Sequence, residues 1–300
     1  MQGAQIDRSR ILLRRVAREQ TLETLSTSKA HGGTLGVYRH ASTATGTGMT
    51  FSVYVPPQGA SGQKLPVLFY LSGLTCTHAN VTDKGEYRRA CAELGVVFVA
   101  PDTSPRGDGV ADDPAGAYDF GLGAGFYVNA TADPFARHYR MLDYIADELP
   151  ALIAAGFPID PARAGITGHS MGGHGALTLG LTYPDRFRSL SAFAPIVAPG
   201  QVPWGHKALA GYLGDDRAAW RAHDAVALIE DGRRPAGDIL VDQGDADGFL
   251  AEQLRPELLR AAADAAGIDL TLRLQPGYDH SYNFISTFME DHIRWHAARL

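Results

Sequence analysis

Residues 163–181 read R-A-G-I-T-G-H-S-M-G-G-H-G-A-L-T-L-G-L. Ala164 to Thr167 predicts a strand, Gly168 to Gly172 a sharp turn, and the residues to about Leu181 a helix packed close to its neighbours. The turn itself, Gly168-His169-Ser170-Met171-Gly172, has the spacing G-x-S-x-G. A serine held on a tight strand-to-helix turn stands its oxygen clear of the backbone. Side chains at the flanking positions would collide with strand and helix, so hydrogen is favoured there. Ser170 is therefore the predicted nucleophile of a serine hydrolase, and strand, turn and helix in this order are the nucleophile elbow of the α/β-hydrolase fold.

The segments on either side agree. Thr34 to His40 and Met49 to Val55 predict an early strand pair, the second alternating and closed by Pro56-Pro57. P-V-L-F-Y-L at 66–71 and V-V-F-V-A at 96–100 are short continuous apolar runs, as in strands buried on both faces. Ala164 to Thr167, Leu190 to Phe193, Ile239 to Val241 and Leu270 to Leu274 supply further strands. Helices are predicted at Tyr87 to Leu94, Arg140 to Ala155, Glu252 to Ala266 and Ser281 to Arg299. Alternation of this kind predicts a single-domain α/β protein, with a mostly parallel central sheet and helices on both faces. Two stretches, Pro101 to Asp133 and Ala198 to Pro235, fit no element. Each follows a strand, so each is expected to wall a pocket at the carboxyl ends of the strands.

A serine hydroxyl needs a base, and the base needs an orienting acid. In this fold the acid and then the histidine follow the serine in the chain. His280, after the strand L-T-L-R-L and just before the last helix, is the predicted base. His292 and His296 lie within that helix and read as surface residues. His169 and His174 flank the nucleophile too closely to serve and read as packing or hydrogen-bonding residues. The acid belongs in Asp242-Gln243-Gly244-Asp245-Ala246-Asp247. Asp242 reads as strand end, and the residues alone leave Asp245 and Asp247 both open. An oxyanion hole needs two backbone N–H groups: one from Met171, the residue after the nucleophile, and one from the loop Ser72 to Thr77, where Leu74 is the natural donor. His31-Gly32-Gly33 resembles an oxyanion motif but precedes the first strand. No histidine–carboxylate cluster has metal-ligand spacing, so no metal is expected.

Composition excludes other classes. The formal charge is −6 without a basic cluster, which argues against nucleic-acid binding. No apolar run is long enough to span a membrane. Two cysteines, Cys76 and Cys91, make no disulfide framework and predict a reducing compartment. The first twenty residues carry five arginines against Asp7 and Glu19, without an apolar segment ending in a small-residue cleavage site. Residues 1–24 are expected to be a poorly ordered extension ahead of a domain spanning 25–300.

From about Leu25 to Leu300 the chain resembles the S-formylglutathione hydrolase (esterase D) family. The resemblance is carried by S-T-S-K-A-H-G-G-T-L-G-V-Y-R-H (26–40), L-S-G-L-T-C-T (71–77), A-P-D-T-S-P-R-G (100–107), G-A-G-F-Y-V-N-A-T (123–131), G-H-S-M-G-G-H-G-A-L (168–177), P-W-G-H-K-A (203–208), D-Q-G-D-A-D-G-F-L (242–250) and G-Y-D-H-S-Y-N-F-I (277–285). It implies a cytoplasmic, cofactor-independent, homodimeric thioesterase that splits S-formylglutathione into glutathione and formate. It also implies Asp247 as the acid beside Ser170 and His280, and it puts the family's pocket cysteine on Cys76. Trp204 is a further candidate for the pocket wall. Lys84, Arg106 and Lys207 are possible partners for glutathione's carboxylates. The N-terminus is longer than the family's, and Asn283 stands where an aromatic residue is common. A short-chain carboxylesterase or an acyltransferase on the same fold would share these catalytic residues.

Overall fold

The computed structural model describes residues 21–300. The extension expected over 1–24 lies outside the described residues except for its last four, of which Glu23 and Thr24 open the first strand. The strands are β1 (Glu23–Ala30), β2 (Gly33–Ala41), β3 (Gly48–Val55), β4 (Leu65–Leu71), β5 (Val97–Pro101), β6 (Ile159–Gly168), β7 (Ser189–Phe193), β8 (Ile239–Gly244) and β9 (Leu270–Gln275). They form one sheet in the order β1-β2-β3-β5-β4-β6-β7-β8-β9. The pairings from β1 to β5 are antiparallel, and all those from β5 to β9 are parallel. β4 is buried along its whole length, in keeping with its unbroken apolar sequence. β1 was not anticipated as a strand. It is an edge strand exposed on both faces, so its polar sequence carries no alternation to read.

The helices used below are α1 (His78–Lys84), α2 (Arg88–Leu94), α3, α4 (Met171–Thr182), α5 (Pro203–Leu213), α6 (Ala225–Glu230), α7 (Pro256–Ala266) and α8 (Tyr282–Ala297). α3 runs continuously through Met141–Asp143, a π-helical turn at Tyr144–Glu148, and Leu149–Gly156. Pro150 has no N–H for the Ala146 carbonyl, which accepts from Arg186 instead. α4 packs on β6 and β7, whereas α8 packs on α2 and over β7 and β8.

Three expectations need correction. The stretch 198–235 is not irregular: it holds α5, α6 and a short turn of helix at Arg217–Trp220. Their signals are local, with Pro203 at a helix start and Asp216 and Asp224 as N-caps accepting from Ala218 (2.9 Å) and Ala227 (3.0 Å). The helix expected over 252–266 is broken at Arg255, whose φ of 52° precedes Pro256, and α7 starts at that proline. Finally, His292 and His296 are not surface residues; both are fully buried against the sheet.

These histidines set the response to acid. Burial pushes His174 down to about 4, and it also lowers His169, His292 and His296. The unfolded chain, with histidines near ~6.5, therefore takes up protons first. This contribution to stability is complete above about pH 6.5 and is lost as pH falls toward about 4. His174 alone withdraws about 3 kcal/mol across that window. The urea midpoint is expected to drop steeply through it, and a midpoint independent of pH there would contradict neutral buried histidines.

Candidate active site

Ser170 sits between β6, a central strand, and the first residue of α4. Its backbone has φ 59° and ψ −117°, a left-handed conformation that costs a non-glycine residue about 1–3 kcal/mol. The flanking glycines make the turn possible. A Cβ on Gly172 would lie 1.9 Å from the Leu71 carbonyl oxygen, and one on Gly168 would lie 2.2 Å from the Gly172 carbonyl oxygen. The Ser170 N–H donates to the Phe193 carbonyl at the end of β7 (3.0 Å), and the Ser170 carbonyl accepts from His174 (2.9 Å) as the first bond of α4.

Asp247 follows β8 and His280 follows β9. The chain brings them together, with His280 Nδ1 2.5 Å from Asp247 Oδ2. The same oxygen accepts from Gln243 Nε2 (3.2 Å), while Asp247 Oδ1 accepts from the Phe249 N–H (2.9 Å). Asp247 is thus buried and held from three sides. The other two aspartates of the loop go elsewhere. Asp245 is exposed and accepts from the Gly277 N–H (2.7 Å), closing the turn before His280. Asp242 lies within β8, its side chain wholly buried. The His280 ring packs against His169, the residue before Ser170, with ring centres 4.4 Å apart. Ser281 caps α8 by accepting from Asn283 (3.2 Å), which fixes where the His280 loop ends.

The loop after β4 backs directly onto Ser170. A Cβ on Gly73 would lie 3.2 Å from the Ser170 Cβ. Thr77 caps α1 and anchors this loop: its Oγ1 accepts from the Ala79 N–H (3.1 Å), and its own N–H donates to Asn80 Oδ1 (3.0 Å). Among the described residues, neither the Leu74 nor the Met171 amide has a protein acceptor. Met171 is also the first residue of α4, where the helix dipole favours negative charge.

Trp204 is buried and does not reach His280 itself. It packs on Phe249 (ring centres 4.7 Å apart), and Phe249 packs on His280 (5.1 Å). Phe249, half exposed beside His280, was not singled out from the sequence, and its position two residues past Asp247 was the available signal. Tyr118, from the irregular stretch 101–133, meets the far edge of Trp204 (6.4 Å). Cys76 is half-buried, and burial pushes its thiol up, so the thiol stays protonated at neutral pH. Arg106 is ion-paired with Asp102 (2.9 Å), and Lys207 with Asp119 (2.5 Å) and Asp113 (3.3 Å). Lys84 lies 6.0 Å from the centre of the Tyr282 ring. Among the described residues, no three His, Cys, Asp or Glu side chains are grouped to hold a metal ion, and no helix is long and apolar enough to cross a membrane.

A family model described as "Putative esterase" matches residues 42–295. Among curated relatives, the S-formylglutathione hydrolase of Paracoccus denitrificans is 54% identical over 278 residues, covering 93% of this chain and 98% of the relative. That of Mus musculus is 50% identical over 280 residues, covering 93% and 99%. Among solved structures, an S-formylglutathione hydrolase from Agrobacterium tumefaciens superposes with a TM-score of 0.91 at 55% identity, covering 93% of this chain and 99% of that one.

Proposed function

This chain belongs to the esterase family and, within it, to the S-formylglutathione hydrolases, and we propose that it splits S-formylglutathione into glutathione and formate through Ser170, His280 and Asp247. The observation that carries the assignment of roles is the 2.5 Å contact between His280 Nδ1 and Asp247, made by the loops after β8 and β9, with Ser170 on its elbow after β6.

In this scheme Ser170 Oγ attacks the formyl carbon while His280 Nε2 takes the hydroxyl proton. Asp247 keeps the other imidazole proton on Nδ1, which leaves Nε2 free to face the serine, and it stabilises the imidazolium as that forms. The Leu74 and Met171 amides bind the oxyanion. The carbon–sulfur bond then breaks, and His280 returns its proton to the departing thiolate, giving glutathione and a formyl ester on Ser170. In the second half His280 takes a proton from water. The hydroxide attacks the ester, and the proton passes back to Ser170 Oγ as formate leaves. Phe249 and Trp204 wall the site beside the base. The resemblance further supports a cytoplasmic homodimer.

The reading predicts that kcat/KM for S-formylglutathione exceeds that for a short aryl acetate by on the order of 10-fold or more, since contacts to the thiol half add to transition-state binding. A clear preference for the aryl acetate would instead assign a general carboxylesterase.

A further inference from the structure

Asp242 takes no part in that scheme, yet it is a fully buried carboxylate beneath the site. Four hydrogen bonds hold it. Arg273 Nε donates to Oδ1 (2.6 Å) and Arg273 Nη2 to Oδ2, Gln275 Nε2 donates to Oδ1 (2.9 Å), and His292 Nε2 lies 3.1 Å from Oδ2. Burial by itself would raise its pKa; the bonds from His292 and Arg273 outweigh that and hold it at about 2. The cluster continues behind the sheet. Ser191 Oγ stands 2.8 Å from His292 Nδ1 and 2.8 Å from His296 Nε2, and it donates to Thr167 Oγ1 on β6 (2.8 Å).

The cluster touches all three strand ends that present the triad. The His292 ring is stacked on Phe193, with centres 3.7 Å apart, and the Phe193 carbonyl accepts the Ser170 N–H. The Asp242 carbonyl accepts the Ala194 N–H (2.7 Å), fixing the end of β7 to β8. The next residue, Gln243, donates to Asp247. Arg273 and Gln275 belong to β9, the strand that leads to His280.

We propose that Asp242, clamped by His292, Arg273 and Gln275, is a positioning residue that sets the spacing of the loops carrying Ser170, Asp247 and His280. This inference rests on the triad proposed above. Its physical basis is that reacting groups displaced by about 1 Å can lose on the order of 10²-fold in rate, although ground-state binding is untouched.

The test compares His292→Leu, which removes the nitrogen facing Asp242, with His292→Gln, whose amide can donate from nearly the same place. His292→Leu is expected to lower kcat by on the order of 10–10²-fold with KM within about twofold, and His292→Gln to recover most of that loss. Gln275→Met, at the half-exposed end of β9, is expected to give a smaller fall in kcat with the same unchanged KM, and it decides the matter if His292→Leu does not fold. A folded His292→Leu with wild-type kcat, a His292→Gln as impaired as the leucine variant, a loss confined to KM, or a wild-type kcat in Gln275→Met would each overturn the inference. Ser170→Ala assayed alongside separates the two readings. If it keeps its turnover the triad itself is wrong, whereas an inactive Ser170→Ala beside unaffected His292 variants removes the positioning role alone.

Discussion

Ser170→Ala is expected to lower kcat for S-formylglutathione by on the order of 10⁴-fold or more, with the protein still folded and KM little changed. The backbone at Ser170 is strained with either side chain, because alanine also carries a Cβ at φ 59°. The hydroxyl makes no hydrogen bond to a protein group among the described residues, so deleting it leaves no buried partner unsatisfied. What disappears is the atom proposed to form the acyl ester. The Leu74 and Met171 amides and the aromatic wall remain, and with them a residual acceleration over the uncatalysed reaction. A loss of 10⁴-fold corresponds to about 5.5 kcal/mol of barrier, far more than any packing change at this position would supply. The readout is steady-state hydrolysis of S-formylglutathione beside a thermal melt.

The second large effect separates two aspartates in one loop. Asp247→Asn is expected to cut kcat by on the order of 10²–10⁴-fold, and Asp245→Asn to leave it within about twofold. The Phe249 N–H requires an oxygen at the Asp247 Oδ1 position, 2.9 Å away. An asparagine there must therefore turn its NH₂ toward His280 Nδ1 and Gln243 Nε2, both of which donate in the wild type. The imidazole can relieve the clash only by moving its proton to Nε2, the nitrogen that accepts from serine in the proposed scheme. At 245, by contrast, the carbonyl of an asparagine can keep the bond from Gly277. The reverse outcome, with Asp245→Asn crippled and Asp247→Asn active, would move the acid to 245.

Much of this was legible in the chain. The elbow motif is contiguous in the chain, although only Gly168 answers to its own turn while Gly172 answers to the Leu71 carbonyl at the end of β4, and the apolar runs of β4 to β8 announce buried parallel strands. Which of the two aspartates meets His280 was not legible from the residues alone. It depends on which carboxylate meets Gln243, Phe249 and His280 and which meets Gly277, and those are contacts across the ends of β8 and β9. The family likeness pointed to Asp247 without that reason. The burial of His292 and His296 did leave a trace. Ile285, Met289, His292 and His296 follow one another at helical spacing, so the two histidines extend the apolar stripe of α8. Reading them by residue type hid the cluster around Asp242. β1 left no trace, because an edge strand wetted on both faces has no pattern to impose.

The nucleophile is tested most directly by reacting the protein with a fluorophosphonate probe and locating the adduct by peptide mass spectrometry. A single adduct on Ser170, within the tryptic peptide 164–186 and lost in Ser170→Ala, is the predicted result. An adduct on any other residue, or undiminished labelling of Ser170→Ala, would contradict the assignment.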